Sequence, residues 1–131
     1  MSNLDTARAW IKGMDEHDVD KMFALCTPDL FGREIAEPHP NLGRDAVAAT
    51  YVDLFQGFPD CRSEFLNELA DGDQVLIEVR WIGTNSGPYR GTPATDKVVD
   101  VPIAYIFKFR GDRICAITEY YDGATVGAQL S

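Results

Sequence analysis

The last third of the chain, residues 98–122, reads as two long strands joined by one tight turn, and the second strand carries a carboxylate among aromatic neighbours. Residues 98–109 are dense in β-branched and aromatic side chains, which suit a pleated, half-buried surface. Arg110-Gly111-Asp112 supplies turn chemistry, because glycine enters positive φ at no steric cost. Residues 113–121 then run back. Side chains alternate across a strand, so Cys115, Ile117, Glu119 and Tyr121 are expected on one face. On the partner, Val101, Ile103, Tyr105, Phe107 and Phe109 share a face, while Lys108 and Arg110 mark the opposite one as wetter. With the apolar faces superposed, Glu119 stands on an apolar wall. An acid there is paired, sits at a lip, or exchanges protons.

Composition narrows the classes of function. With 131 residues, 45% of them hydrophobic and 25% charged, the chain is expected to form one globular domain, 1–131, with a real core. A formal net charge of −9 argues against nucleic acid and against anionic membrane surfaces, both of which need a basic patch. No run approaches the roughly 18 apolar residues of a membrane span. The N-terminus lacks a signal-peptide pattern, so a cytoplasmic location is expected. Cys26, Cys61 and Cys115 are odd in number and each lies in a hydrophobic context, the usage of reduced, buried thiols. No cysteine pair has zinc-ligand spacing, and His17 and His39 alone exclude a histidine-rich metal site.

The order of elements is helices first, then strands. Ser2 and Asp5 resemble a capping box ahead of the stripe Leu4, Ala7, Trp10, Ile11 and Met14. Asp18 can cap a second helix carrying Val19, Met22, Phe23 and Cys26, ending at Pro28. Residues 30–37 suggest a short extended piece, and a third helix is expected over residues 44–57, stopped by Pro59. Everything beyond reads as antiparallel sheet, with strands over 62–69, 74–84, 98–109 and 113–121. Asp71-Gly72-Asp73 is a hairpin turn, and residues 85–93 form a glycine- and proline-rich excursion. Asp122-Gly123-Ala124-Thr125 looks like the cap of a short C-terminal helix. The fold class is therefore α+β: a strongly bent antiparallel or mixed sheet with about three helices on its concave face, a cone with an open mouth.

This order, with these motifs, resembles the SnoaL-like polyketide cyclases of the nuclear transport factor 2-like superfamily, whose fold ketosteroid isomerase and limonene epoxide hydrolase share. The markers are Trp10, Asp18-Val19-Asp20, Gly43-Arg44-Asp45-Ala46-Val47, Phe55-Gln56-Gly57-Phe58-Pro59-Asp60, Val79-Arg80-Trp81, Gly83-Thr84-Asn85-Ser86-Gly87 and Tyr89-Arg90-Gly91-Thr92-Pro93. They are specific for fold and weak for reaction, since one superfold hosts many chemistries. The resemblance implies a last-strand aspartate acting as general acid/base, with a histidine on the adjacent strand. Registering Gly111-Asp112-Arg113-Ile114 on the family's turn puts the aspartate on Glu119 and the histidine on Tyr105. Tyr keeps a donor but is no neutral-pH base, its reference pKa being about 10. Epoxide hydrolysis is disfavoured, because the position two beyond Arg80 is Ile82 rather than a second carboxylate.

The sequence thus points to a cofactor-independent acid/base enzyme of the cyclase or isomerase kind, acting on a hydrophobic carbonyl compound. Glu119 would be the base, Tyr105 the oxyanion donor and Arg80 a modulator of charge. Trp10, Met14, Tyr51, Phe55 and Tyr121 are expected to line one cavity of several hundred Å³ with them. The bland alternative pairs Glu119 with Arg80 or Arg90 and leaves a non-catalytic ligand-binding or association domain. His39 reads as a surface imidazole, and His17 as a cation suited to the end of helix one. A homodimer through the outer sheet face is expected, covering Ala104, Ile106, Ile114, Ala116 and Tyr120.

Overall fold

A computed structural model describes all 131 residues. The elements are α1 (Asn3–Asp15), α2 (Val19–Phe23), β1 (Cys26–Glu34), β2 (Asn41–Leu42), α3 (Arg44–Gly57), β3 (Arg62–Asp71), β4 (Gln74–Thr84), β5 (Val98–Arg110), β6 (Arg113–Tyr120) and α4 (Gly123–Leu130). One six-stranded sheet runs in the order β2-β1-β6-β5-β4-β3 and is not closed into a barrel. It is mixed: β1 lies parallel to β6, and every other neighbouring pair is antiparallel.

The local signals act where the sequence puts them. Ser2 and Asp5 close the capping box of α1, Asp18 accepts from Lys21 N at the start of α2, and Asp122 caps α4 through Ala124 N and Thr125 N. The second helix is shorter than its periodicity predicts. Cys26 belongs to β1, pairing with Ile114, and Pro28 falls in an irregular stretch of that strand where a missing ladder donor is tolerated.

A bulge in β6 alters the expected facing. Lys108 pairs with Ala116 and Phe109 with Ile114, which leaves Cys115 as the extra residue. Ile114 is consequently fully buried and Cys115 only half-buried, the reverse of strict alternation. Beyond the bulge the period resumes and turns Ile117 and Glu119 inward.

The deep end of the core is built on Trp10, which is fully buried. Its ring meets Tyr51, Phe107, Tyr105 and Phe23 edge-on, at centroid distances of 5.2, 5.4, 5.6 and 6.2 Å. The indole Nε1 has no hydrogen-bond partner, so Trp10 acts there through volume alone. Met14 seals the same end, its sulfur 3.6 Å from the Tyr105 hydroxyl.

All three cysteines are free thiols. Burial pushes Cys26 and Cys61 up to about 12, so neither is a nucleophile at neutral pH. His17 has a packing role at the end of α1. It takes a positive φ of 56°, stacks on Phe55 at 4.5 Å, and sets its Nε2 3.0 Å from the Cys61 carbonyl oxygen.

Candidate functional site

The parallel pairing of β1 with β6 brings two carboxyl groups side by side. Glu34 and Glu119 are register partners at the end of that ladder, and the amide of Ile35 donates to the Glu119 carbonyl at 2.9 Å. Glu119 is 8% exposed, buried among apolar residues apart from its few polar partners. One of these comes from α3, where the Tyr51 hydroxyl donates to Glu119 Oε1.

Glu34 holds a different set of partners. The Tyr121 hydroxyl donates to its Oε1 at 3.2 Å, and Arg90 Nη2 lies 3.0 and 2.8 Å from its two oxygens. The other terminal nitrogen of Arg90 pairs with Glu37, and the guanidinium carbon sits 4.9 Å over the Tyr89 ring. The segment carrying these two residues is pinned to α3. Arg90 N donates to Asp53 at 3.1 Å, and Asn85 bridges the Gly57 and Gly87 carbonyls at 3.2 and 3.0 Å. Gly87 allows the approach, because a side chain there would overlap the Gln56 carbonyl oxygen.

Burial lifts Glu119 well above the ordinary carboxyl range, and the charge of Glu34 and a hydrogen bond to it add to the effect. The Tyr51 hydroxyl favours the carboxylate and opposes this, but one neutral donor does not offset burial beside a like charge. Burial likewise raises Tyr121, Tyr89 and Tyr105, so all three stay protonated donors at neutral pH. Around Arg90 burial disfavours the charge, yet Tyr89, Glu34, Tyr121 and Glu37 outweigh it and the guanidinium remains charged.

An apolar chamber of about 60 Å³ opens beside the pair, walled by Leu54, Phe58, Trp81, Tyr89, Val99, Val101, Ile103, Tyr121 and, from α4, Val126. A second hollow of about 40 Å³, bounded by Gly32, Val47, Thr50 and Tyr51, shares Glu34, Leu54, Tyr89 and Glu119 with it. Outside lies an open vestibule of about 500 Å³ edged by Glu34, Glu37, His39, Thr50, Asp53 and Arg90. All three spaces border Glu34.

The inner spaces are far smaller than the several hundred Å³ expected, because side chains assigned to the wall fill the floor; of the residues expected to converge, Glu119, Tyr51 and Tyr121 do. Trp10, Met14, Phe55 and Tyr105 line none of these spaces; the first two and Tyr105 fill the floor solidly, and Phe55 is engaged by His17. Arg80 lies on the outer face of β4, half exposed, with Asp100 at 2.6 Å and Glu64 at 3.4 Å. The alternation of β4, with Val79 and Trp81 inward, forces it there. Neither Arg80 nor Arg90 forms an ion pair with Glu119, so the structural-pair alternative for that acid is not realised. Glu34 and Tyr89 are site residues to which the sequence gave no role, and Arg90, expected as a partner of Glu119, pairs instead with Glu34 and Glu37. The available sign was the strand end Gly32-Arg33-Glu34, which has no meaning until β1 is known to pair with β6.

The profile of the SnoaL-like polyketide cyclases matches residues 4–130, and the chain belongs to that family. Solved structures agree in fold. A SnoaL-like protein from Jannaschia sp. CCS1 superposes with a TM-score of 0.91 at 23% identity, over 98% of this chain and 91% of that one. IdmH from Streptomyces antibioticus, described as a candidate polyketide cyclase, gives 0.83 at 21% identity over 99% of each chain. A protein with a ketosteroid isomerase-like fold from Catenulispora acidiphila, solved with trimethylamine, gives 0.81 at 20% identity over 95% of this chain and 91% of that one. No curated protein sequence matches the chain. No helix is long and apolar enough to cross a membrane.

Proposed function

We propose that the chain is a cofactor-independent acid/base catalyst of the cyclase or isomerase kind, acting on a hydrophobic carbonyl compound. The observation that carries this is Glu119, a buried carboxyl bordering an apolar chamber, raised in proton affinity and free of any ion pair. Enolisation needs a group that moves a proton beside a carbonyl, and a donor for the oxygen that gains charge. Glu119 suits the first task. Tyr51 suits the second better than Tyr105, whose hydroxyl is turned to the Met14 sulfur at the core floor. Such chemistry asks for no metal and no organic cofactor. The free thiols are consistent with a cytoplasmic setting.

A non-catalytic ligand-binding or association domain is the second reading, favoured by Tyr105 standing where the family carries histidine. A thermal-shift screen of polycyclic ketones against unrelated amphiphiles, followed by turnover assays on the hits, separates the two. Selective stabilisation by ketones that are then consumed is expected, since ligands that bind only the folded state raise its melting temperature. Equal response to every amphiphile, without turnover, supports plain binding. No response to any compound contradicts both.

The outer sheet face is proposed to pair two copies. Ala104, Ile106 and Ala116 are half-buried there, and Tyr120 and Phe31 are 45% and 41% exposed, whereas Ile114 has been taken inward by the bulge. Light scattering at micromolar concentration is expected to give twice the chain mass of 14.5 kDa. A monomeric mass overturns the pairing.

A further inference from the structure

Like charges placed side by side disfavour one another's ionisation, so two neighbouring carboxyl groups compete to keep a proton. Glu34 and Glu119 are placed so, register partners on parallel strands that both border the apolar chamber. Their other partners decide where the proton rests. Glu34 receives the Arg90 guanidinium on both oxygens and the Tyr121 hydroxyl on one, all of which favour its charged form. Glu119 receives a single neutral hydroxyl, from Tyr51, and sits deeper in apolar surroundings. Arg33 also borders the second hollow, next to Glu34 in β1, and forms no ion pair with either acid. Glu37 and Asp53 are engaged by Arg90, Tyr89 lies under its guanidinium, Tyr105 is turned to Met14, and α4 carries no ionisable side chain.

We propose that Glu34 is the positioning residue of this site: its carboxylate, clamped by Arg90 and Tyr121, keeps the proton on Glu119, which therefore meets a carbonyl substrate first as a proton donor. This rests on the acid/base reading above and assigns it a direction. The Glu119 O–H bond breaks as a new O–H bond forms on the substrate carbonyl, whose π pair moves to oxygen. The carboxylate so formed then takes the proton from the adjacent carbon, the C–H pair becomes the C=C bond of the enol, and Glu119 is protonated again. Charge and atoms balance, and no other reagent enters. The favoured substrate is accordingly a neutral ketone. A free carboxylate or phosphate beside Glu34 would meet a like charge.

The test is Glu34→Gln, read by carboxyl-carbon NMR titration of the Glu119 resonance, with Glu119→Gln as the assignment control. Removing the neighbouring charge is expected to move the Glu119 midpoint down the pH scale, and to move the acidic limb of any turnover profile with it. Arg90→Gln is the second variant, should Glu34→Gln fail to fold. Without the guanidinium Glu34 competes for the proton, so the Glu119 titration is expected to shift and to spread over two steps, as coupled carboxyl groups do. A Glu119 midpoint that stays put in whichever of these variants folds overturns the proposal. If the midpoint moves but no ketone binds or turns over, the shared proton stands and the enzyme reading fails. If ketones turn over with a pH profile that Glu34→Gln leaves unmoved, the enzyme reading stands and the role of Glu34 is lost.

Discussion

Glu119→Gln is expected to reduce turnover of a carbonyl substrate by about 10²- to 10⁴-fold, the usual contribution of a positioned acid/base group, while making the protein more stable toward alkaline pH. The two effects share one cause. Glutamine has the shape of the protonated acid: its amide can donate to Glu34, and its carbonyl can accept from Tyr51. What it lacks is a proton to give. In the wild type the folded-state proton affinity of Glu119 is raised above the ordinary glutamate value of about 4.3, chiefly by burial. The folded chain therefore binds more protons than the unfolded one between that value and the higher folded midpoint, and stability falls as pH rises through this window. The variant is free of that loss, so its melting temperature should exceed that of the wild type by a margin that grows with pH across the window. A pair of thermal melts at the two ends measures it. If the variant is instead less stable at neutral pH and turnover is untouched, Glu119 is a structural acid.

Trp10→Ala is expected to cost about 3–5 kcal/mol of stability, the range for emptying a large aromatic site in a close-packed core. Four aromatic rings lose their common partner, and two of them, Tyr51 and Tyr105, are held by neighbours on α3 and β5 that cannot collapse into the gap without moving those elements. Because Nε1 bonds to nothing, Trp10→Phe forfeits only part of the volume and no hydrogen bond, and should cost markedly less. Urea unfolding midpoints for the two variants give the comparison. A Trp10→Ala protein of near-native stability with altered ligand affinity would instead place Trp10 on the ligand chamber.

Most of the fold was legible in the sequence because its determinants are local. Capping residues, turn glycines and the β-branched density of 98–109 each act within a few positions, and they gave α1, α3, the hairpins and the C-terminal helix. The same is true of the acid on the last strand, whose alternation with Ile117 turned it inward. What escaped depends on pairings between distant segments. Residues 26–34 are a strand only because β6 offers a parallel edge, so Cys26 was assigned to a helix it never joins. The bulge at Cys115 has no strong local signature, and it reversed the facing of Ile114. The site shows the same division. Glu119 and Tyr51 could be named in advance, whereas Glu34 acquires meaning only from its register with Glu119, and Arg90 only from the pinned segment that carries it to Glu34. Tyr105 was rightly set beside Glu119 in register, but its hydroxyl extends into the core floor. Arg80 rests on likeness to the arginine of the epoxide hydrolases, and strand alternation sends it to the opposite face.

The protonation state of Glu119 in the wild-type protein is the central physical claim, and carboxyl-carbon NMR titration of that one residue tests it most directly. Glu119 is expected to remain protonated well above the pH at which an ordinary glutamate ionises, because burial and the charge of Glu34 act in the same direction. A midpoint at or below the ordinary value, about 4.3, would contradict it and leave Glu119 as a structural acid in a binding domain.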